Sequence, residues 1–176
     1  MAVVNPKVDG GKPFDWGKAS ADYAKYRDIY PEMFYRQILD AGLCVQGQTV
    51  LDLGTGTGVL PRNLYRYGAQ FVGIDLSPEQ IEQARRLAKH AGMQSDFFAC
   101  PAESVDFPDH TFDVVTACQC FFYFDAKKLL PNLRRMLRPG GRLAILYMAW
   151  LPGEDPIARA SEQLVLRYNP SWSGGG

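Results

Sequence analysis

The sequence predicts an α/β fold with a doubly wound, mainly parallel sheet and helices on both faces. Two observations predict it. Short apolar runs typical of buried strands alternate with helical patterns along most of the chain, and a glycine-rich segment directly follows the first run. With 176 residues, nearly half of them hydrophobic, the chain is long enough for one domain with a packed core.

The chain is predicted to have three parts. Residues 1–13 are rich in Gly, Pro and Lys, which indicates a flexible amino-terminal arm. The main domain is predicted over residues 14–150, where two helical patterns come first, separated by Pro31 and ended by Gly42. Residues 151–176 are predicted to form a carboxyl-terminal helix and a loose tail.

Five short apolar runs are predicted as strands, at residues 49–53, 71–75, 96–100, 112–118 and 143–148. Helical patterns follow the first, second and fourth runs. Ser77 and Pro78 mark the start of the second of these helices, and Pro139–Gly141 predicts a tight turn before the last strand. Because parallel strands need long crossover connections, this alternation favours a parallel sheet.

Gly54, Gly56 and Gly58 occupy the loop after the first predicted strand. In a doubly wound sheet, a ligand lies outside the carboxyl ends of the strands, beside this loop. Glycine leaves room for a ligand against the backbone and permits positive φ values. The glycines could instead only form a turn, but three at alternate positions after a buried strand favour a ligand site.

Asp75 ends the second predicted strand, about 20 residues after Gly54. At that offset a carboxylate can accept hydrogen bonds from both hydroxyls of an adenosine ribose. A solvated strand end is the alternative, and it is common for aspartate. The combination with the glycine loop favours a nucleoside ligand.

The glycine spacing separates two classes of nucleoside ligand. The pattern is G-x-G-x-G, whereas the dinucleotide fingerprint is G-x-G-x-x-G, in which a helix N-terminus binds a pyrophosphate. Asp52, just before Gly54, would repel a pyrophosphate but favours a ligand that carries an ammonium and a sulfonium. The sequence therefore favours S-adenosyl-L-methionine, and an NAD(P)-dependent oxidoreductase is the alternative.

The segment Val50–Gly58 resembles motif I of the class I S-adenosylmethionine-dependent methyltransferases. Together the matching segments cover roughly residues 14–150. The amino-terminal part, with Phe14–Trp16, Tyr23 and Arg27, is similar to the lid of small-molecule methyltransferases of the trans-aconitate and ubiquinone-biosynthesis groups. The other matching blocks follow in the family order: Val72–Ser77, Ala102–Glu103, Phe107–Asp109, Phe112–Val115 and Leu137–Leu143.

The resemblance implies a Rossmann-like sheet of order 3-2-1-4-5 under an amino-terminal helical lid, and an enzyme that methylates a small organic acceptor. It also implies where S-adenosyl-L-methionine binds: the glycine loop and Gln119 at the methionine part, Asp75 at the ribose, and Leu76 with Ala102 and Glu103 at the adenine. Arg27 either pairs with the cofactor carboxylate or is solvated. The predicted cofactor-binding residues are Asp52, Gly54, Thr55, Gly56, Asp75, Leu76, Ala102, Glu103, Gln119 and Arg27.

The chain departs from the family pattern in its candidate catalytic groups. Pro101 stands where many relatives have an acid that binds the adenine, and Phe122–Tyr123 stands where the family often has a histidine followed by an aromatic residue. The catalytic residue is therefore unknown. Tyr123 and His110 are the candidates for a general base, and a structural role is favoured for both.

The carboxyl-terminal part is expected to be incomplete. The family fold ends with a further helix and two strands, and residues 149–176 are too few for them, so one helix within residues 149–168 and a chain truncated after the fifth strand are expected. The fifth strand would then be an exposed edge, which favours a homodimer through that edge. A truncated cofactor-binding module without turnover is a further alternative.

The charge composition favours no polyanionic partner. Lys and Arg total 19, as do Asp and Glu, so neither nucleic acid nor a membrane is expected as a partner. A signal-peptide pattern and bilayer-length apolar runs are absent from the sequence, which predicts a cytoplasmic location. Cys118 and Cys120 are interpreted as buried reduced thiols rather than half a metal site.

Overall fold

The computed structural model describes residue 11, residues 15–28 and residues 30–172. The described residues divide into two compact units, one of residues 15–28 and 30–146 and one of residue 11 with residues 147–172. Apart from residue 11, the predicted amino-terminal arm lies outside the described residues, and so does Phe14. The three-part division of the chain stays a prediction.

A five-stranded parallel sheet forms the centre of the first unit, in the order β3-β2-β1-β4-β5. The predicted fold class and strand order are therefore confirmed. The order reverses between β1 and β4, and ligands of doubly wound sheets lie outside the carboxyl ends of the strands at such a point. The strands are β1 Thr49–Leu53, β2 Gln70–Asp75, β3 Asp96–Ala99, β4 Phe112–Cys118 and β5 Leu137–Leu146.

Six α-helices are present in the described residues, and short 3-10 turns precede or follow several of them. The predicted start of the helix after β2 is confirmed, because the Ser77 side chain accepts a hydrogen bond from the Gln80 N–H at 3.3 Å. The helices are α1 Ser20–Tyr26, α2 Glu32–Asp40, α3 Val59–Leu64, α4 Pro78–His90, α5 Ala126–Met136 and α6 Pro156–Tyr168.

The sheet has a hydrophobic core on each face. Alternate residues of a strand point to opposite faces, so Val50 belongs to one core and Leu51 to the other. The first core includes buried residues of α2, α3 and α4, and the second includes Leu129, Leu133 and Met136 of α5. Both faces of the sheet are therefore covered by helices, as predicted.

The fifth strand differs from the prediction at both ends. It begins at Leu137 and ends at Leu146, and the predicted turn at Pro139–Gly141 is a bulge inside it, because Leu137 pairs with Phe112 while Arg142 already pairs with Val114. The strand starts early because Arg138 is held against β4: its guanidinium donates a 2.6 Å hydrogen bond to the Asp113 carboxylate.

The second unit contains α6, which agrees with the single helix predicted within residues 149–168. The Asp155 carboxylate begins this helix by accepting hydrogen bonds from the Ile157 and Ala158 N–H groups, at 2.7 and 3.1 Å. Between Tyr147 and residue 172 the structure has no strand. None of the helices in the described residues is long and apolar enough to cross a membrane.

Candidate cofactor site

The loop between β1 and α3 lies at the point where the strand order reverses. Its glycines all have positive φ values, 60° at Gly54, 55° at Gly56 and 74° at Gly58, which side chains other than glycine rarely adopt. The Thr55 N–H donates a 2.8 Å hydrogen bond to the Ile74 carbonyl, so the loop is attached to β2.

The three glycines meet different surroundings. A Cβ at Gly54 would lie 2.8 Å from the Cys120 sulfur, and a Cβ at Gly58 would lie 3.3 Å from the Phe97 ring. Packing within the protein therefore already leaves little room for a side chain at these two positions. A Cβ at Gly56 would have no atom nearer than Gln80 and Tyr23, at 3.9 and 4.0 Å. Gly56 is the glycine of this loop that keeps open space clear.

Asp75 joins the end of β2 to this open part of the loop. Its carboxylate accepts 2.9 Å hydrogen bonds from the Gly56 N–H and from the Ser77 N–H. Burial raises the pKa of Asp75, and the backbone donors oppose that rise. Each carboxylate oxygen can accept more than one hydrogen bond, so Asp75 keeps acceptor capacity for a ligand.

Asp52 lies beneath the loop and is only 2% exposed. The Thr55 hydroxyl donates to one carboxylate oxygen and the Thr116 hydroxyl to the other, both at 2.7 Å. Burial raises the pKa of Asp52 to about 6; the two hydroxyls lower it and the nearby Asp75 charge raises it further. Asp52 is thus placed within the protein rather than at the surface of the site.

Helix α1 of the predicted lid lies beside the glycine loop, because a Cβ at Gly56 would be 4.0 Å from the Tyr23 ring. Arg27, just after α1, donates a 3.4 Å hydrogen bond to the Tyr23 hydroxyl, and its guanidinium lies 5.8 Å from the centre of the Tyr23 ring. The loop after α1 is attached to α3, because the Asp28 carboxylate accepts hydrogen bonds from Arg62 at 3.2 Å and Asn63 at 2.9 Å.

The residues predicted at the adenine lie after β2 and β3. Leu76 is half-buried beside Asp75, and Ala102 is buried in the second core. Glu103 has a contact that the sequence did not predict: its carboxylate accepts a 2.8 Å hydrogen bond from the Asp125 N–H, just before α5. Ala102 and Glu103 lie in a short 3-10 turn, Ala102–Ser104, and Pro101 directly precedes it as its N-cap.

The segment after β4 contains Gln119 and Tyr123. Gln119 has a positive φ of 61°, and its N–H donates a 2.9 Å hydrogen bond to the Leu146 carbonyl. Tyr123 is half-buried against the Phe122 ring, with 4.2 Å between the ring centres. His110 precedes β4, and its Nδ1 lies 3.0 Å from the Leu137 carbonyl, at the amino end of the sheet. His110 is therefore far from the glycine loop.

Thr116 is a site residue that the sequence reasoning missed. Its side chain is fully buried, and β1 and β4 pair so that Asp52 and Thr116 are direct neighbours. A hydroxyl within the apolar stretch Val114–Cys118 was the available signal. In the part of the chain that the structure describes, no cluster of three His, Cys, Asp or Glu side chains is arranged to hold a metal ion.

Comparison with known proteins decides the family. The family model described as a methyltransferase domain matches residues 51–145. The chain belongs to this family. A demethylmenaquinone methyltransferase of Thermus thermophilus is 40% identical to this methyltransferase domain over 114 residues, which are 63% of this chain and 52% of the relative. A ubiquinone biosynthesis O-methyltransferase of Cereibacter sphaeroides is 31% identical over 133 residues, 75% of this chain and 54% of that protein.

A solved structure from Methanococcus maripaludis, proposed to be an S-adenosyl-L-methionine-dependent methyltransferase, has the same fold as this methyltransferase domain. Its TM-score is 0.68 at 19% identity, and the match covers 89% of this chain and 73% of the other. The predicted class I methyltransferase family is confirmed, and S-adenosyl-L-methionine is supported as the cofactor over NAD(P). The chain spans about half the length of the two curated relatives.

Proposed function

We propose that this chain is the cofactor-binding part of an enzyme that transfers a methyl group from S-adenosyl-L-methionine to a small organic acceptor. One observation carries the proposal. The Asp75 carboxylate accepts a 2.9 Å hydrogen bond from the Gly56 N–H, and beside Gly56 lies open space that a Cβ at this position would fill. A bare backbone beside an acceptor group suits a ribose whose hydroxyls donate hydrogen bonds.

The charges around this space suit a cationic nucleoside. Asp52 and Asp75 are close enough for their charges to interact, and within the described residues their hydrogen bonds come from hydroxyl and backbone N–H groups, not from lysine or arginine. A bound cation would therefore supply the missing positive charge.

We assign the parts of the cofactor to residues as the family resemblance implies. The methionine part would lie against Gly54–Gly56 and Gln119, with its carboxylate toward Arg27 of the lid. Asp75 would accept the ribose hydroxyls. The adenine would lie beside Leu76, with Ala102 and Glu103 at its edge. Thr55 and Asp52 would support the loop from below.

The protein groups mainly have to align the acceptor. When bound, the cofactor supplies a methyl group on a positively charged sulfur, which leaves as a neutral thioether. Positioning alone can contribute about 7–11 kcal/mol in favourable intramolecular systems, so a catalytic side chain is optional. Tyr123 lies on the carboxyl side of β4 and is the remaining candidate for a base, because His110 lies at the opposite end of the strand.

The two curated relatives are named as a demethylmenaquinone methyltransferase and a ubiquinone biosynthesis O-methyltransferase, and both names agree with a small organic acceptor. The cytoplasmic location, the absence of a nucleic-acid partner and a homodimer through the outer edge of β5 remain predictions from the sequence. β5 is the last strand of the sheet in the described residues, which is the condition that this homodimer needs.

Calorimetric titration tests the proposal. We expect saturable heat with S-adenosyl-L-methionine and with S-adenosyl-L-homocysteine, and none with NAD or NADP. The reverse pattern would overturn it in favour of an oxidoreductase. If the chain binds the cofactor but methylates nothing in a broad panel of phenols, carboxylic acids, amines and thiols, the cofactor-binding module without turnover is the better description of this chain.

A further inference from the structure

The carboxylate of Asp52 is a charged group buried beneath the glycine loop. It is 2% exposed, and each of its oxygens receives one hydroxyl hydrogen bond, from Thr55 in the loop and from Thr116 in β4. These two neutral donors give each oxygen one hydrogen bond but supply no positive charge that compensates the carboxylate. A buried charge of this kind is costly unless a positive charge comes near it.

The titratable groups around Asp52 do not supply that charge. Asp75 on β2 is an acid, and the thiols whose titration Asp52 influences are Cys44 before β1, Cys118 at the end of β4, and Cys120 after it. Burial raises the pKa of each thiol, to about 12 for Cys44 and about 11 for Cys118, so the thiols are neutral near pH 7. Arg27 after α1 lowers the pKa of Cys118, but no cation of the described residues is among the groups that shift the pKa of Asp52 itself.

We propose that Asp52, held by Thr55 and Thr116, is a specificity-determining residue that favours the sulfonium cofactor over its neutral thioether product by acting through the glycine loop without contacting either ligand. The inference rests on the proposed function. S-adenosyl-L-methionine carries one more positive charge than S-adenosyl-L-homocysteine. A fixed negative charge in a low-dielectric position therefore stabilises the first complex more than the second.

The same arrangement couples binding to protons. In the free protein Asp52 takes up a proton as the pH falls through about 6, since burial raises its pKa to that value. A bound cation favours the charged carboxylate and so lowers this pKa. Binding of the sulfonium cofactor below pH 6 must then release a proton. The affinity for this cofactor must fall as the pH is lowered below 6, by at most about tenfold per pH unit.

Titration calorimetry of the whole chain with both ligands between pH 5 and 7.5, in buffers of different ionisation enthalpy, tests the inference without measuring activity. For Asp52→Asn we expect the preference for S-adenosyl-L-methionine over S-adenosyl-L-homocysteine to fall by about fivefold, which corresponds to a charge roughly 8 Å away at an effective dielectric constant of about 40. In Asp52→Asn the number of protons released when S-adenosyl-L-methionine binds should also fall.

A second pair of variants separates charge from folding. Thr116→Val removes one hydroxyl donor at nearly constant shape, so it should move the pH midpoint of binding up by about one unit. Thr116→Ser keeps the donor and should leave the midpoint in place. Because Asp75 makes no contact with this hydroxyl, a shift in Thr116→Val alone assigns the titration to Asp52.

The outcomes distinguish the two proposals. If the wild-type chain binds neither ligand at any pH, the proposed function fails. If it binds both ligands, but the preference is independent of pH and unchanged in Asp52→Asn, the role of Asp52 is wrong while the cofactor site stands. Equal midpoints in Thr116→Val and Thr116→Ser contradict the inference even if Asp52→Asn does not fold.

Discussion

Aspartates lie at both ends of the sheet, but their partners differ. At the amino end, Asp113 accepts hydrogen bonds from the Thr49 N–H at 2.8 Å and from the Arg138 guanidinium at 2.6 Å. At the carboxyl end, Asp52 and Asp75 accept only from hydroxyl and backbone N–H groups in the described residues. The two ends share strands β1 and β4, so the difference lies in side-chain partners and not in the backbone.

The pKa values follow these partners. Burial would raise the pKa of Asp113, but the Thr49 N–H and Arg138 hold it below its ordinary value. Burial raises the pKa of Asp52 and of Asp75 despite their donors. A carboxylate with an arginine partner stabilises the fold, whereas a buried one without a cation is suited to a ligand. We therefore expect mutations at the two ends to affect different properties.

The largest effect is expected at Gly56. Gly56→Leu should weaken binding of S-adenosyl-L-methionine by at least roughly 100-fold, because the side chain fills the space under Tyr23. Gly92→Leu is the matched control: Gly92 also has a positive φ, 66°, and nothing lies within 4 Å of its Cβ position. Both variants should lose about 1–2 kcal/mol of stability, and Gly92→Leu should bind normally. Calorimetry measures the affinity and urea unfolding measures the stability. Equal affinities of Gly56→Leu and Gly92→Leu for S-adenosyl-L-methionine would contradict the site.

The next largest effect separates the two ends of the sheet. Asp75→Ala should weaken cofactor binding by about 1.5–3 kcal/mol, roughly 10–150-fold, because a charged acceptor is lost from the site. Asp113→Ala should lower the free energy of unfolding by about 1–3 kcal/mol and leave the affinity nearly unchanged. Isothermal titration and chemical denaturation of both variants test this. A loss of affinity in Asp113→Ala would show that the amino end is coupled to the site.

The stability of the ligand-free chain should fall as the pH rises, because the aspartates at the carboxyl end of the sheet have raised pKa values. Asp52 has a folded pKa of about 6, above the ordinary aspartate value of about 3.9, so its contribution to stability is present below pH 4 and is lost as pH rises through 6. Asp75 acts in the same direction. We expect the free energy of unfolding to fall by on the order of 1–2 kcal/mol from pH 5 to pH 7.5.

Urea unfolding at the two pH values measures this change. Asp113 has a lowered pKa, so its stabilising contribution is lost only near and below pH 4, where the carboxylate is protonated. Asp113 therefore does not contribute to the change between pH 5 and pH 7.5. Asp52→Asn should flatten the profile between pH 5 and pH 7.5. A free energy of unfolding that rises over this range would contradict the assigned ionisation of the carboxyl end.

The smallest effect is expected at the attachment of the lid. Asp28→Ala removes the contacts with Arg62 and Asn63, and Arg62 is only 14% exposed, so a loss of about 0.5–1.5 kcal/mol in stability and a roughly threefold loss of affinity are expected. The control is Glu32→Ala, whose carboxylate pairs with Arg36 on the surface and should matter little. Hydrogen exchange of α1 should increase only in Asp28→Ala; equal exchange in both variants would contradict the attachment.

The sequence alone predicted the bounds of β1 and β4 and the position of the candidate site. β1 and β4 have the predicted ends because a switch from apolar periodicity to glycine or polar residues is a local signal. The ends of β5 could not be predicted, because the pairing of Leu137 with Phe112 and the contact of Arg138 with Asp113 join distant segments. A propensity pattern contains no information about such a partner.

The roles of the aspartates show the same division. The glycine spacing and Asp75 predicted a nucleoside site from local order, since a strand, a turn and an acid at a fixed offset are all present in one stretch of chain. Only the tertiary structure decided that Asp52 is buried and that its partner is Thr116, 64 residues away. The physical reason is that burial and charge compensation depend on which strands become neighbours, and strand order is a property of the whole sheet.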